Sequence, residues 1–196
     1  RFTVTAQGRA AHAGGNHADG RSAIREIAAQ VLALEAMTDP GAGVTVNVGL
    51  IAGGSGLNVV PAEAQIEVDL RVPTPELGAR MVAAIRGLRP VDPDVRLTVE
   101  GGMNRPPFPR TPQVAALYAR AAGLAGAMGL ELPEAARGGV SDGNFVAALG
   151  RPVLDGLGAG GHGAHAEDEH VRTDTLAPRA ALIAALLMDP EAGQDA

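Results

Sequence analysis

Residues 44–72 have the sequence VTVNVGLIAGGSGLNVVPAEAQIEVDLRV, and this stretch decides the fold. Apolar and polar side chains alternate on both sides of a glycine-rich segment, as they do in half-buried β-strands. The segment itself, GGSG at residues 53–56, is typical of a turn. We therefore predict two consecutive strands, at residues 44–52 and 64–72.

The sequence on either side extends this pair to a unit of six elements. Alternation predicts further strands at residues 2–7 and 95–99, and apolar spacings of three and four predict helices at 22–37 and 75–88. The order β-α-β-β-α-β is that of a ferredoxin-like α+β fold, an antiparallel four-stranded sheet with two helices on one face. One sheet edge stays uncovered, which favours dimerisation.

The second half of the chain has a different pattern, introduced by the linker-like residues 101–109, GGMNRPPFP. Its one predicted strand is too little sheet for an independent core, so we interpret this half as the end of an α/β domain. The predicted domains are residues 1–101 and 102–196. The predicted elements of the second half are helices at 111–128, 141–149 and 175–188 and a strand at 152–154.

The composition excludes several classes of function. The 196 residues include 16 Lys and Arg against 22 Asp and Glu, and the resulting net charge of −6 argues against a nucleic-acid binder. No apolar run reaches the ~18 residues that a membrane span needs. The absence of cysteine excludes disulfides, thiolate metal ligands and cysteine nucleophiles. We take the cytoplasm as the default location, although a chain without cysteine is compatible with secretion too.

The five histidines fall in two glycine-rich loops, and the second loop also contains acidic residues. Neutral imidazoles beside carboxylates are the cysteine-free way to hold zinc, although a solvated acidic turn at 167–169 is the simpler interpretation. The histidines are His12 and His17 in the first loop and His162, His165 and His170 in the second.

A second signal overlaps the same loop. Gly158, Gly160 and Gly163 match the dinucleotide-binding pattern G-x-G-x-x-G after a short predicted strand. That pattern needs an amphipathic helix directly afterwards, whereas HAEDEH follows here, without an apolar stripe. Nucleotide binding is therefore the weaker interpretation.

Four more short motifs each have a structural explanation when taken singly, such as a turn or an ion pair at a strand end. They are GRAAHAG at 8–14, NVVP at 58–61, DLR at 69–71 and GGVSD at 138–142. Together, and followed by H-x-x-x-E from His165 to Glu169, they resemble one family along essentially the whole chain. This is the co-catalytic zinc peptidase family of glutamate carboxypeptidases, aminoacylases, acetylornithine deacetylases and succinyl-diaminopimelate desuccinylases.

The resemblance implies hydrolysis of an amide bond next to a carboxylate-bearing amino acid, in a small peptide or an N-acyl amino acid. In this family two zinc ions share a bridging water and lower its pKa. The resemblance also implies that residues 1–101 are a dimerisation or lid domain and that residues 102–196 are the returning part of the zinc-binding α/β domain. We therefore expect a homodimer that binds a small-molecule substrate.

The resemblance assigns roles to individual residues. It makes His165 a metal ligand, and it makes His12 the residue that reaches across the dimer and polarises the scissile carbonyl. Asn58 contacts the substrate. The positions that would hold the free carboxylate of the substrate are Arg71, Gly139, Ser141 and Asp142.

The sequence departs from the family pattern in its metal ligands. It contains no H-x-D motif and no paired glutamates, so one of the expected metal ligands is present. The first residues, RFTVTA, look like a strand already in progress, and we expect the chain to be a piece of a longer enzyme that is inactive by itself. Two alternatives stay open, namely a stand-alone dimerisation module and a nucleotide-binding protein.

Overall fold

The computed structural model describes residues 1–136 and 138–189. They form two compact units, one of residues 1–107 and one that begins at Phe108. The first contains β1 (Phe2–Gln7), β2 (Ala11–His12), α1 (Ala23–Glu35), β3 (Thr45–Gly53), β4 (Val59–Val60), β5 (Glu63–Arg71), α2 (Pro75–Arg86) and β6 (Arg96–Gly101). The second contains α3 (Pro112–Ala127), α4 (Gly143–Ala148), β7 (Gly161–His162), β8 (His170–Val171) and α5 (Leu176–Met188).

The first unit has the predicted ferredoxin-like arrangement. Its four long strands form one sheet in the order β3-β5-β1-β6, and every neighbouring pair is antiparallel. Helix α1 packs against β1, β3 and β5, and α2 packs against β6. The six predicted elements are thus confirmed with nearly the predicted bounds, and the structure adds the short strands β2 and β4.

Strand alternation decides which face of the sheet is buried. Phe2, Val4 and Ala6 of β1 point into the core, and the neighbouring strand β5 contributes Ile66 and Val68 beside them. Burial of such side chains contributes about 25 cal/mol per Å² of apolar surface. The opposite face is polar, as the intervening residues of both strands require.

Both long helices of this unit begin at a side chain that caps the helix. The Ser22 hydroxyl accepts a hydrogen bond from the Arg25 N–H at 3.2 Å, and the Thr74 hydroxyl accepts one from the Leu77 N–H at 3.3 Å. Each cap satisfies an N–H group that has no partner within the helix. Pro75 occupies the first turn of α2, where its missing N–H costs nothing.

Along the first half of the edge strand β3, side chains already occupy the outward-facing backbone N–H groups. The Val46 N–H donates to the Thr38 hydroxyl at 3.0 Å, and the Val48 N–H donates to a Glu35 carboxylate oxygen at 2.7 Å. Beyond a register shift between Val48 and Leu50, the apolar side chains of Leu50 and Ile51 are 68% and 64% exposed. The half of the edge that begins at Leu50 is therefore the part suited to pairing with another strand.

The regular secondary structure of the second unit is mostly helical. Helices α3 and α5 pack together, and the buried apolar side chains among its described residues are Ala121, Ala125 and Leu182. The prediction of a strand at 152–154 was wrong. These residues are not in a strand, because no strand among the described residues pairs with them and an isolated β-segment leaves its backbone groups unsatisfied. None of the described helices is long and apolar enough to cross a membrane.

A buried carboxylate fastens α1 to the loop before β6. Glu26 is 2% exposed, and its oxygens accept hydrogen bonds from the N–H groups of Val91, at 3.0 Å, and Asp92, at 3.1 Å. The Gln30 amide donates to the same carboxylate at 2.7 Å and to the Arg89 carbonyl at 2.9 Å. The charge of Glu26 is thus compensated by three N–H donors.

We predict that Glu26→Ala lowers the free energy of unfolding of the first unit by about 2 kcal/mol, because it leaves these donors without their acceptor. The measurement is the urea dependence of hydrogen exchange at the β1 amides. The exposed Arg25→Ala on the same helix is the control and should change the value by less than about 0.5 kcal/mol. Equal effects of the two substitutions would contradict the role given to Glu26.

Candidate functional site

The two short strands of the first unit bring His12 and Asn58 together. β2 and β4 pair antiparallel, with His12 opposite Val59, and the Ala13 N–H donates to the Asn58 carbonyl at 2.9 Å. We call this pair of strands, with residues 13 and 58 at its end, the β2–β4 ribbon. It presents two residues that the sequence analysis singled out from separate motifs.

The His12 side chain is held by the turn that follows it. Its Nδ1 atom accepts hydrogen bonds from the N–H groups of Gly14, at 3.2 Å, and Gly15, at 3.0 Å, while the residue is exposed. These two donors are not among the residues predicted from the sequence. The signal that reveals them is the sequence HAGG, in which two glycines follow the histidine at the second and third positions.

Arg71 lies far from this ribbon. The ribbon leaves the sheet next to Glu63, the first residue of β5, whereas Arg71 is the last residue of the same nine-residue strand. At about 3.3 Å per residue, the two ends of β5 are roughly 26 Å apart. The Arg71 guanidinium lies 2.7 Å from the Asp69 carboxylate, and both side chains are partly exposed. Within one copy, His12 and Arg71 therefore do not line the same site.

The loop before α4 is organised by a residue that the sequence analysis did not select. The buried Asn144 side chain accepts a hydrogen bond from the Ser141 N–H at 2.9 Å, and the Ser141 hydroxyl accepts one from the Gly143 N–H at 3.1 Å. Asp142 is the residue before the helix, and Gly139 is exposed. The spacing S-x-x-N is the signal that could have identified Asn144.

His165 lies in the turn between β7 and β8, and its backbone is unusual. Its φ of 67° is in the left-handed region, which is uncommon for a residue with a side chain and is often found at functional sites. Its N–H lies 3.3 Å from a Glu169 carboxylate oxygen, and the residue is exposed. The chain after Gly163 turns back into β8, so the helix required by the dinucleotide pattern does not form there.

One hydrogen bond joins the base of this hairpin to the residue before α5, and a second joins the two arms of the hairpin. The Gly160 N–H donates to the Thr175 hydroxyl at 2.8 Å, and the Arg172 N–H donates to the Gly160 carbonyl at 2.8 Å. The Arg172 guanidinium also donates to Asp174, which lowers the pKa of that exposed carboxyl. These contacts position the turn that carries His165.

The described residues do not complete a metal site. In residues 1–136 and 138–189, no three histidine or carboxylate side chains are placed so that they would hold one ion. His162 and His170 face each other across the hairpin, with ring centroids 6.4 Å apart, and Nδ1 of His170 lies 2.8 Å from the Asp168 carbonyl oxygen. One imidazole or a pair of imidazoles falls short of the four ligands that zinc prefers.

Residues 1–89 match the family model of the M20 peptidase dimerisation domain. This chain carries an M20 peptidase dimerisation domain. The match confirms the family that the ordered motifs predicted, and it falls on the unit in which the structure shows the ferredoxin-like sheet.

Known relatives of the chain are hydrolases. It is 41% identical over 78 residues to indole-3-acetyl-aspartic acid hydrolase of Enterobacter agglomerans, which is 39% of this chain and 18% of that protein. It is 29% identical to carboxypeptidase G2 of Pseudomonas sp. (strain RS-16) over 97% of this chain and 47% of that protein. A tripeptidase structure from Staphylococcus aureus matches with a TM-score of 0.70 and 25% identity, over 93% of this chain and 48% of the other. The chain thus spans less than half of the length of these proteins.

Two close backbone approaches shape the ribbon of the dimerisation domain. A Cβ atom on Gly8 would lie 2.0 Å from the Arg21 carbonyl oxygen, and one on Gly20 would lie 2.7 Å from Cγ1 of the buried Val60. Arg21 strengthens the same region, since its guanidinium donates to the Gly20 carbonyl at 2.8 Å and to the Asp94 carboxylate at 2.8 Å. The ribbon therefore depends on glycine at position 20, and the chain that leads into it depends on glycine at position 8.

We predict that Gly20→Ala destabilises the ribbon by about 2 kcal/mol, because the added methyl group overlaps the Val60 side chain. Val60→Ala in the same chain should recover part of this loss, since it removes two of the three atoms that clash, Cγ1 and Cγ2, while Cβ stays at 2.8 Å. The measurement is a double-mutant cycle on hydrogen exchange of the Ala13 amide, which bonds to the Asn58 carbonyl. Gly56→Ala is the control, because a Cβ there meets no atom closer than 3.7 Å. Purely additive effects would contradict the assigned contact.

Proposed function

We propose that the chain supplies part of the active site of a zinc-dependent hydrolase that cleaves an amide bond next to a carboxylate-bearing amino acid. The single observation that carries the proposal is the β2–β4 ribbon, which joins His12 and Asn58 although they come from separate motifs. The M20 match and the hydrolase relatives support the reaction class. The name of the first relative specifies an acyl group joined to aspartic acid, which fits this substrate class.

In this proposal each site residue has a separate role. His12 polarises the carbonyl of the amide that is cleaved, and Asn58 contacts the substrate beside it. The planar guanidinium of Arg71 binds both oxygens of the free carboxylate of the substrate. The proposal assigns binding of the same carboxylate to Gly139, Ser141 and Asp142 as well.

The complete site in this proposal holds two zinc ions, with His165 as one ligand and the other ligands outside this chain. The left-handed backbone of His165 supports its selection, because strained residues of this kind are concentrated at functional positions. Residues 102–196 accordingly form part of the catalytic domain, and residues 1–101 form the dimerisation domain. The proposed location of the enzyme is the cytoplasm.

The separation of His12 from Arg71 supports a site shared between two copies. The ends of β5 are too far apart for one unit to place both residues against a single small substrate. A homodimer removes this difficulty, because one copy contributes His12 and Asn58 while its partner contributes Arg71. The dimerisation domain and the open half of β3 favour the same assembly.

A stand-alone dimerisation module is the second candidate function. The specific observation in its favour is the exposed apolar pair Leu50 and Ile51 on the unblocked half of β3. Such a module would associate through this edge without performing hydrolysis. The two candidates therefore agree about association and differ about activity.

We predict that the isolated chain, supplied with zinc, does not hydrolyse N-acyl glutamate or N-acyl aspartate at ordinary enzyme rates. A hybrid in which the chain replaces its matching half of carboxypeptidase G2 should cleave them. In that hybrid His12→Ala should lower kcat by a factor of about 100 or more while zinc content stays unchanged, since losing one oxyanion donor costs that much.

The activity measurement needs a check that the hybrid is folded. Circular dichroism and zinc content provide this check, and an N-acyl amine without a carboxylate is the substrate control. A folded, zinc-loaded hybrid that cleaves neither N-acyl glutamate nor N-acyl aspartate overturns the proposed function. Rapid turnover by the isolated chain contradicts the proposal that the zinc ligands other than His165 lie outside this chain.

We predict that the chain forms a dimer that Leu50→Lys weakens at least tenfold, because a lysine on the open edge of β3 opposes strand pairing. The measurement is light scattering across a range of protein concentrations. Val91→Lys is the matched control, since Val91 is 69% exposed and lies in the loop before β6, away from this edge. A monomer at every concentration contradicts both candidate functions.

A further inference from the structure

The turn after β2 encloses one edge of the His12 ring. The Asn16 N–H donates to the His12 carbonyl at 3.0 Å and closes the turn, and this closure directs the N–H groups of Gly14 and Gly15 toward Nδ1. A Cβ atom on Gly15 would lie 3.6 Å from Nδ1, which is an ordinary contact. The ring therefore packs directly over the backbone of its own turn.

The direction of these hydrogen bonds decides where the proton of the neutral ring lies. A neutral imidazole has one N–H and one nitrogen with a lone pair. An N–H group donates only to the nitrogen with the lone pair, and both backbone donors point at Nδ1. The proton consequently lies on Nε2, at the edge of the ring that faces away from the turn.

We propose that Gly14 and Gly15 are positioning residues that hold His12 as the Nε2–H tautomer. In this state the outer edge of the ring donates a hydrogen bond and has no lone pair. His12 then neither ligates a metal nor accepts a proton through Nε2. The catalytic meaning of this arrangement rests on the proposed function, in which the Nε2–H group donates to the carbonyl oxygen of the substrate.

The two glycine N–H groups also explain why a donor role suits this ring. A hydrogen-bond donor stabilises a developing oxyanion best when its orientation is set before the substrate binds. Two backbone bonds at Nδ1 fix both the tautomer and the ring plane at once. A ring with a single contact or none would have to be ordered during the reaction.

The experiment is a long-range ¹H–¹⁵N NMR correlation on the chain labelled with ¹⁵N-histidine, at a pH where the imidazoles are neutral. It shows which ring nitrogen carries the proton. The exposed His17 in the neighbouring 3₁₀ turn is the internal reference. We expect no detectable Nδ1–H form for His12 and a mixture of both tautomers for His17.

Two glycine variants test the source of the effect. Gly15→Pro removes one of the two donors and should raise the Nδ1–H share of His12 at least severalfold, whereas Gly15→Ala keeps the N–H and should leave the tautomer as it is. The amide signals of β1 report whether each variant is folded. If the proline variant does not fold, the unmodified chain still decides, because an Nδ1–H share for His12 equal to that of His17 overturns the proposal.

A zinc titration of the same sample adds an independent outcome. Loss of the Nε2 proton of His12 on zinc binding would contradict the proposal, and an unchanged His12 signal supports it. The hydrolysis assay on the hybrid tests the proposed function separately from the tautomer of His12. An Nε2–H tautomer together with full activity of the His12→Ala hybrid would overturn the proposed function and leave the tautomer assignment intact.

Discussion

The antiparallel pairing of β1 with β5 determines where the candidate site forms. Because Gln7 lies opposite Glu63, the chain that leaves β1 and the chain that enters β5 depart from the sheet side by side. They pair again as the β2–β4 ribbon, and this second pairing joins His12 to Asn58. A change in the register of the central pair would separate these residues even if every local turn stayed the same.

The sheet and helices of the first unit were predictable because their signals are local. Alternation at 2–7, 44–52, 64–72 and 95–99 identifies strands with one buried face, and Ser22 and Thr74 mark helix starts through the hydroxyl groups that cap them. The strand at 152–154 was predicted wrongly for the opposite reason. A short apolar run becomes a strand when a neighbouring strand satisfies its backbone groups, and the sequence does not show that neighbour.

The sequence proposes the residues of the candidate site, and their assignment stays a prediction, whereas the geometry of these residues could not be predicted. The motifs at His12, Asn58 and Arg71 are visible in the sequence, but their order along the chain does not show that Arg71 lies at the far end of β5. The hydrogen bonds that orient the His12 ring come from backbone N–H groups, which every residue except proline possesses. Sequence patterns therefore carry little information about them, and the same holds for the contact between Gly20 and Val60.

In the shared site proposed above, the separation of the two ends of β5 has a consequence for how the whole enzyme would respond to its own concentration. A pocket composed of surfaces from two copies exists in the associated state and vanishes on dissociation, with both folds intact. Mass action then controls the number of working pockets in addition to substrate supply. Dilution alone would then inactivate the proposed enzyme reversibly, because each of its molecules would need a second copy to complete the site.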